Sequence, residues 1–441
     1  MWVPMKLNKA HQSRWLLCFL AAFFSAACSK NGLVPNGNFS NFSSPSYYGS
    51  PGIAGLPNGV SLPSISGNNV MQLSVNGSLC SAANSNGYIN KPCVSVTICD
   101  LSGTNCTTIN DILLDTGSFG LRVFNSVIQS QNPALASALT PIQHNGAAIS
   151  ECVNFLDNSA DWGSVALAKV TLAGEDPVTV PIQVIDSTLP GASKNCANAD
   201  SSPVVAGFNG ILGVGVFAQD CGFNCSAGDG LYFTCSGAQC TGYGPTLAEQ
   251  VTNPVSALAQ DNNGVIIELP SLVQGGQASV DGYVILGIGT QANNMPGNVQ
   301  TYAADPQTGQ FLTSFGGQNY PASFLDSGSN TLAFQPSPAM AAKLPDCGSN
   351  GPGYFCPTDT IQFSGTTMAF DGSNSSEMPF LVGNALTLAN TGNMVFMEIA
   401  DNLHDGGLSF DWGLPFFYGR NIYVGIEGKS SPLAAGTYWA Y

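Results

Sequence analysis

Positive charge and histidine are what this chain most lacks. Of its 441 residues only 11 are Lys or Arg and three are His, and charged residues of both signs amount to 9%. Lys6, Lys9 and Arg14 precede Cys28, whereas all 27 acidic residues follow it. From Cys28 onward, eight basic residues therefore face 27 acidic ones, a net of −19. So acidic a surface repels polyanions, which argues against nucleic acid and anionic membrane surfaces as partners. Beyond His11 only His144 and His404 remain, far apart and in no ligand-spaced motif. A Ser-His-Asp triad and a histidine metal site both lack their parts, and the two residues read as surface side chains. Gly213-Val214-Gly215 and Gly287-Ile288-Gly289 are lone Gly-x-Gly pairs without the helix start that a phosphate site needs. No cofactor and no metal is expected. No stretch after the N-terminal segment reads as a membrane-spanning helix.

What is present begins with an export signal. Lys6, Lys9 and Arg14 lead into the apolar Trp15 to Phe24 and then Ser25-Ala26-Ala27-Cys28. Basic, apolar and small residues in that order read as a secretory signal over 1–27, too short in its apolar part to span a bilayer. Cys28 resembles a bacterial lipoprotein cleavage site, with Ser25 where an aliphatic residue is usual, so Cys28 is the lipidation candidate. Ordinary cleavage nearby, giving a soluble secreted protein, is the alternative. Residues 28–66 are rich in Gly, Ser, Asn and Pro and read as a flexible tether.

Twelve cysteines remain once Cys18 and Cys28 are set aside, an even number that in an exported chain points to disulfides. Close spacing proposes Cys80–Cys93, Cys99–Cys106, Cys235–Cys240 and Cys347–Cys356, with Cys152–Cys196 longer. Cys221 and Cys225 either pair with each other or nest with Cys235 and Cys240. A zinc site at that cluster is the competing reading, disfavoured by the want of a nearby histidine.

The remainder reads as nearly all β. Met71, Leu73 and Val75 alternate, as do Val94, Val96 and Ile98; Thr107 to Leu114, Val165 to Leu172 and Val178 to Ile185 are further strands. Helical signals are confined to Ala134–Leu139, Thr246–Gln250 and Pro338–Leu344.

Two stretches stand out against this background: Ile112-Leu113-Leu114-Asp115-Thr116-Gly117-Ser118 and Ser323-Phe324-Leu325-Asp326-Ser327-Gly328-Ser329, their aspartates 211 residues apart. An acid at the end of a buried strand is costly unless donors surround it. Thr or Ser and the following Ser supply hydroxyls, and Gly lets the backbone turn sharply and approach closely. Each motif is followed, 98 and 87 residues after its aspartate, by what reads as an apolar–apolar–Gly strand: Gly210-Ile211-Leu212-Gly213 and Phe410-Asp411-Trp412-Gly413. Leu121 and Leu332 each lie six residues beyond their aspartate. The chain reads as the same half-site built twice.

These motifs, from about Gly67 to Tyr441, resemble the pepsin-type bilobal aspartic peptidases, and within that clan a bacterial branch of predicted lipoproteins with a Leu-Leu-Asp-Thr-Gly-Ser-aromatic-Gly-Leu-Arg segment. The resemblance implies an all-β, bilobal pepsin-like fold: two β-barrel-like lobes, 67–297 and 298–441, with a cleft between them. Gly282 to Gly287 resembles the strand that closes the first lobe. It further implies Asp115 and Asp326 as a catalytic dyad, Thr116 and Ser327 locking the two loops from behind, Ser118 and Ser329 bonding the outer carboxylate oxygens, and Gly117 and Gly328 completing the turns. The family's flap hairpin maps to Glu151–Gly163. That segment has no tyrosine, so Phe155 and Trp162 become flap candidates. Arg122 replaces the family's tryptophan and is a candidate to stack on Trp162. No basic pro-segment is evident, since Lys30 is the sole basic residue of the tether. The activity so implied is water-activating endopeptidase action on polypeptides in the bacterial envelope or outside the cell, by a monomer whose contact with membrane is a lipid anchor. A pepsin-like binding protein that hydrolyses nothing is the alternative.

The anchor is directly testable. Cys28→Ser is expected to move the protein from the detergent phase to the aqueous phase, or to leave it unprocessed. Cleavage at another residue with a wholly aqueous product rules the anchor out.

Overall fold

The computed structural model describes residues 62, 64–84, 87–222, 225 and 230–441, with Ser193 described by its backbone alone. The signal segment, Cys28 and the 28–61 part of the tether lie outside the described residues.

Alternation of apolar side chains does what it predicts in the first half. Val70–Val75, Pro92–Cys99, Cys106–Asp115, Ala160–Thr171 and Val178–Ile185 are strands, and Leu73, Val75, Val94, Val96 and Ile98 are fully buried along them. Six strands close on themselves. Their order runs Ala160–Thr171, Val178–Ile185, Phe119–Phe124, Gly210–Val214, Cys106–Asp115 and Pro92–Cys99. Pro92–Cys99 then returns to Ala160–Thr171 through Thr97 opposite Thr171 and Cys99 opposite Lys169. Closure removes free edges and leaves one face of every strand in a common interior. The expected helices are short pieces, Pro133–Ala138, Leu247–Glu249 and Pro338–Ala341.

The second half is an open sheet of seven strands. It runs Ser375–Val382, Ile361–Met368, Phe311–Phe315, Gln318–Asp326, Phe410–Gly413, Leu332–Phe334 and Ala400–Asp401. Its interior is aromatic: Phe334 stacks on Phe410 at 4.6 Å and Phe410 on Trp412 at 4.3 Å, while Phe315 meets Phe334, Phe363 and Phe380 edge-on. Large rings fill a half-barrel that β-branched side chains would leave loose.

The chain is thus mostly strand, a closed barrel and a half-barrel, but the sheets do not divide at residue 297. Asn421–Gly425 pairs with Gly264–Glu268, and Tyr438–Ala440 pairs in turn with Asn421–Gly425 and with Thr301–Ala303. The last two strands therefore complete the first sheet, a long-range return that local pattern does not disclose.

Among the described residues six disulfides form: Cys80–Cys93, Cys99–Cys106, Cys152–Cys196, Cys221–Cys225, Cys235–Cys240 and Cys347–Cys356. Cys221 and Cys225 pair with each other, which settles the open alternative and leaves no free thiolate there for zinc.

Two charged networks sit inside the first sheet. Lys91 Nζ donates to Asp111 Oδ1 at 2.7 Å and to Gly207 O at 3.0 Å. Arg122 donates to Glu151 Oε1 at 2.8 Å, Asp220 Oδ2 at 2.9 Å and Phe119 O at 2.6 Å, and the Tyr232 hydroxyl donates to Asp220. The expected stacking of Arg122 on Trp162 does not form; two buried carboxylates claim the guanidinium instead. Removing one partner of such a network strands the others without compensation. Arg122→Met is accordingly expected to cost about 3–5 kcal/mol, read as a lower unfolding midpoint. Adding Glu151→Leu and Asp220→Leu is expected to restore much of that loss.

Candidate functional site

The strands Cys106–Asp115 and Gln318–Asp326 end side by side, and their terminal acids are both fully buried. Each carboxyl is held by its own turn in the same way. Gly117 N donates to Asp115 Oδ1 at 2.8 Å, as Gly328 N does to Asp326 Oδ1 at 2.8 Å. Ser118 Oγ donates to Asp115 Oδ2, and Ser329 Oγ to Asp326 Oδ2 at 2.8 Å. The two carboxyls adjoin across the junction, near enough for Asp115 to act on Asp326. Gly117 faces the Asp326 carboxyl so closely that a Cβ there would overlap it, which is why the turn needs glycine.

Behind the acids the turns are tied together reciprocally. Thr116 Oγ1 donates to Leu325 O at 2.9 Å and accepts from Ser327 N at 2.9 Å. Ser327 Oγ donates to Leu114 O at 2.7 Å and accepts from Thr116 N at 3.1 Å. Each hydroxyl uses donor and acceptor on the opposite turn, so the pair fixes separation and rotation together.

The strands behind the turns repeat as well. Gly210–Val214 runs parallel to Cys106–Asp115 with Asp115 opposite Gly213, and Phe410–Gly413 runs parallel to Gln318–Asp326 with Asp326 opposite Gly413. Leu121 and Leu332 face Leu212 and Trp412 on the other edge of each strand. A Cβ on Gly213 would strike the Phe119 backbone, and one on Gly413 the carbonyl of Thr331. Close passage behind the turn is the reason for a glycine at both places.

The two halves differ in one respect that corrects the sequence reading. The residue two before Gly413 is not apolar but Asp411, paired with Phe324, whereas its counterpart Ile211 pairs with Leu113. Asp411 is buried, and its Oδ2 lies 2.6 Å from Ser329 Oγ. Burial first, and then the neighbouring Asp115, push the Asp326 pKa well above the usual carboxylate range. Burial likewise pushes Asp411 well up, and it pushes Asp401, whose Oδ1 accepts from Thr331 Oγ1 at 3.0 Å, up to about 7.

Two further residues reach this junction from the loop closed by Cys80–Cys93. The Tyr88 hydroxyl donates to Gly328 O at 2.8 Å. Asn90 Nδ2 donates to Asn330 O at 2.8 Å and Phe396 O at 2.9 Å, and its Oδ1 accepts from Phe396 N and the Tyr418 hydroxyl, both at 2.8 Å. Sequence reading passed over both. The signal it could have used for Asp411 is an acid between Phe410 and Trp412; Asn90 offers none beyond its place in a disulfide loop.

The hairpin expected over Glu151–Gly163 forms, with Cys152 opposite Trp162 and Asn154 opposite Ala160. Asp157, whose side chain accepts from Ser159 N at 2.9 Å, shapes its tip. Phe155 packs into the main core, and Trp162 into a satellite cluster with Cys152, Cys196, Phe233 and Cys240. Arg122 is engaged as described above. The structure thus gathers the two Asp-Thr/Ser-Gly-Ser turns into one site and assigns Phe155, Trp162 and Arg122 to packing inside the first sheet. Among the described residues, Cys80, Cys93 and Asp111 lie near enough to share an ion, but the cysteines are joined as a disulfide and Asp111 holds Lys91.

A comparison with curated proteins finds no match. A family model matches residues 66–441, from just ahead of the first strand to the C-terminus, and so takes in both turns and both strands behind them. By that match the chain belongs to the family described as a protein of unknown function, DUF3443.

Proposed function

We propose that the chain is a pepsin-like aspartic endopeptidase, acting on polypeptides as a monomer in the bacterial envelope or outside the cell. The observation that carries this reading is two buried carboxyls brought to one junction on matching turns, each held by a glycine N–H and a serine hydroxyl. The closed barrel and the half-barrel, meeting at those turns, support a bilobal pepsin-like arrangement.

Two carboxyls so placed cannot both ionise easily and share a proton, a behaviour the aspartic-protease dyad exemplifies. In the singly protonated pair one carboxylate takes a proton from water as the water attacks the scissile carbonyl, while the other donates its proton to the carbonyl oxygen. The tetrahedral intermediate then collapses with proton transfer to the leaving nitrogen, and no covalent adduct with the protein forms. The apparent pKa values belong to the pair.

One observation favours a second reading. Both carboxyls are fully buried, as suits a scaffold that keeps the fold and binds without hydrolysing. Asp115→Asn and Asp326→Asn decide between the two. Each is expected to lower peptide hydrolysis by at least about 10²–10⁴-fold with little change in the unfolding midpoint, and the wild-type rate is expected to fall at both pH extremes. Wild-type protein that cleaves none of a varied set of unfolded substrates from acid to neutral pH leaves the binding reading standing.

Buried acids also set where the fold is most stable. Asp326, Asp411, Asp220 and Asp401 all have pKa values raised chiefly by burial, Asp401 to about 7. A carboxyl with a higher pKa folded than unfolded keeps its proton longer in the folded chain. Its stabilising effect is complete below the unfolded value, about 4, and is lost as pH rises through the folded one. The unfolding midpoint is expected to be highest at or below about pH 4, the unfolded carboxyl value, and to decline toward pH 8. A midpoint that rises over that range contradicts the linkage.

A further inference from the structure

Ser118 and Ser329 occupy equivalent places in their turns but have different neighbours. Ser118 Oγ bonds Asp115 Oδ2, and the strand behind it offers Ile211 at the matching position. Ser329 Oγ lies between two carboxyls, 2.8 Å from Asp326 Oδ2 and 2.6 Å from Asp411 Oδ2. A serine hydroxyl has one proton to give. If that proton goes to Asp326, the shorter contact requires the proton of Asp411. If it goes to Asp411, Asp326 must itself be the donor to Ser329. The other Asp411 oxygen, Oδ1, is buried and has no hydrogen-bond partner, so an ionised Asp411 would hold half its charge in a site without a donor.

We propose that Asp411 is a positioning residue that remains protonated, donates its O–H to Ser329 Oγ and thereby aims the Ser329 hydroxyl at Asp326. The groups acting on Asp411 are Ser329, Asp401 and Asp115, with Asp326 one hydroxyl away, and none is a cation. Thr331 bonds Asp401 on the neighbouring strand, and Asp401 is itself an acid that disfavours charge on Asp411. A chain of two aligned O–H bonds strengthens the donor that Asp326 receives. The half-sites are consequently unequal: Asp326 is stabilised as the carboxylate through a relay that Asp115 lacks. The consequence for catalysis rests on the dyad proposed above; the protonation of Asp411 does not.

Carbon-13 NMR of carboxyl-labelled aspartate reads protonation without any substrate. In wild type, one signal is expected to stay at its protonated position between about pH 4 and 7 and to vanish in Asp411→Asn, or in Asp411→Leu should the first variant not fold. Asparagine can still donate to Ser329, so Asp411→Asn is expected to leave the dyad midpoints, and any hydrolytic pH profile, within about 0.3 unit of wild type. Asp411→Leu cannot donate and is expected to raise the Asp326 midpoint by about half a unit or more. Two results overturn the proposal: a signal lost in Asp411→Asn that ionises below about pH 5, or dyad midpoints that drop by about one unit in that variant, the mark of a removed buried charge. If no form hydrolyses peptides, the dyad reading fails, while the carboxyl titration still decides whether Asp411 holds its proton.

Discussion

Two carboxylic acids in one dry space form the constraint around which this chain is arranged. Burying one carboxyl requires donors, and burying two together adds repulsion whenever both are charged. Asp115 and Asp326 meet the first requirement with a glycine N–H and a serine hydroxyl each. The second is met when only one of the two is charged. The sharp turns, the glycines beneath them and the parallel strands behind follow from bringing backbone N–H groups that close to an acid at a strand end. A residue with a Cβ at Gly117, Gly213 or Gly413 would push the turn away from its place.

The halves that carry this pair are alike in local geometry and unlike in construction. A closed six-stranded barrel with aliphatic filling holds Asp115; an open sheet packed with phenylalanine and tryptophan holds Asp326. Where they join, hydrogen bonds accompany a continuous apolar core. Thr116 and Ser327 make four hydrogen bonds across the junction, two with each other and one each to Leu325 O and Leu114 O, and Asn90 makes four more toward Asn330, Phe396 and Tyr418. Apolar packing would tolerate sliding; hydrogen bonds of this kind set direction as well as distance.

What could be read from the sequence divides along the same line. Alternation at Met71–Val75 or Val94–Ile98 names a strand because period two is local, and Cys235–Cys240 or Cys347–Cys356 can be paired because so short a loop offers little else. The two turns were legible because Asp-Thr-Gly-Ser and Asp-Ser-Gly-Ser repeat a demand for donors and tight backbone. The role of Arg122 was not: its partners Glu151 and Asp220 lie 29 and 98 residues away, and only the folded chain brings them together. The return of Asn421–Gly425 to Gly264–Glu268 is hidden for the same reason. Asp411 stood in plain view between Phe410 and Trp412, but its meaning depends on a parallel register with Phe324 that no local pattern encodes.

On the proposed reading, precision at the junction is what separates a pair of buried acids from a catalytic one. A shared proton demands oxygen atoms within hydrogen-bond reach, and a displacement of about 1 Å is enough to lose the near-attack geometry. Each turn is therefore held by groups that are themselves held. Tyr88 bonds the carbonyl of Gly328 beside Asp326, and the loop that carries Tyr88 is closed by Cys80–Cys93 and underlain by Lys91 bonded to Asp111, four residues before Asp115. The disulfide, the buried lysine and the asparagine form a single support running from one half of the site to the other. An apolar substitute at Asn90 would keep the volume and still release the Phe396 backbone and the Tyr418 hydroxyl, leaving buried groups without partners next to the turn that must not move.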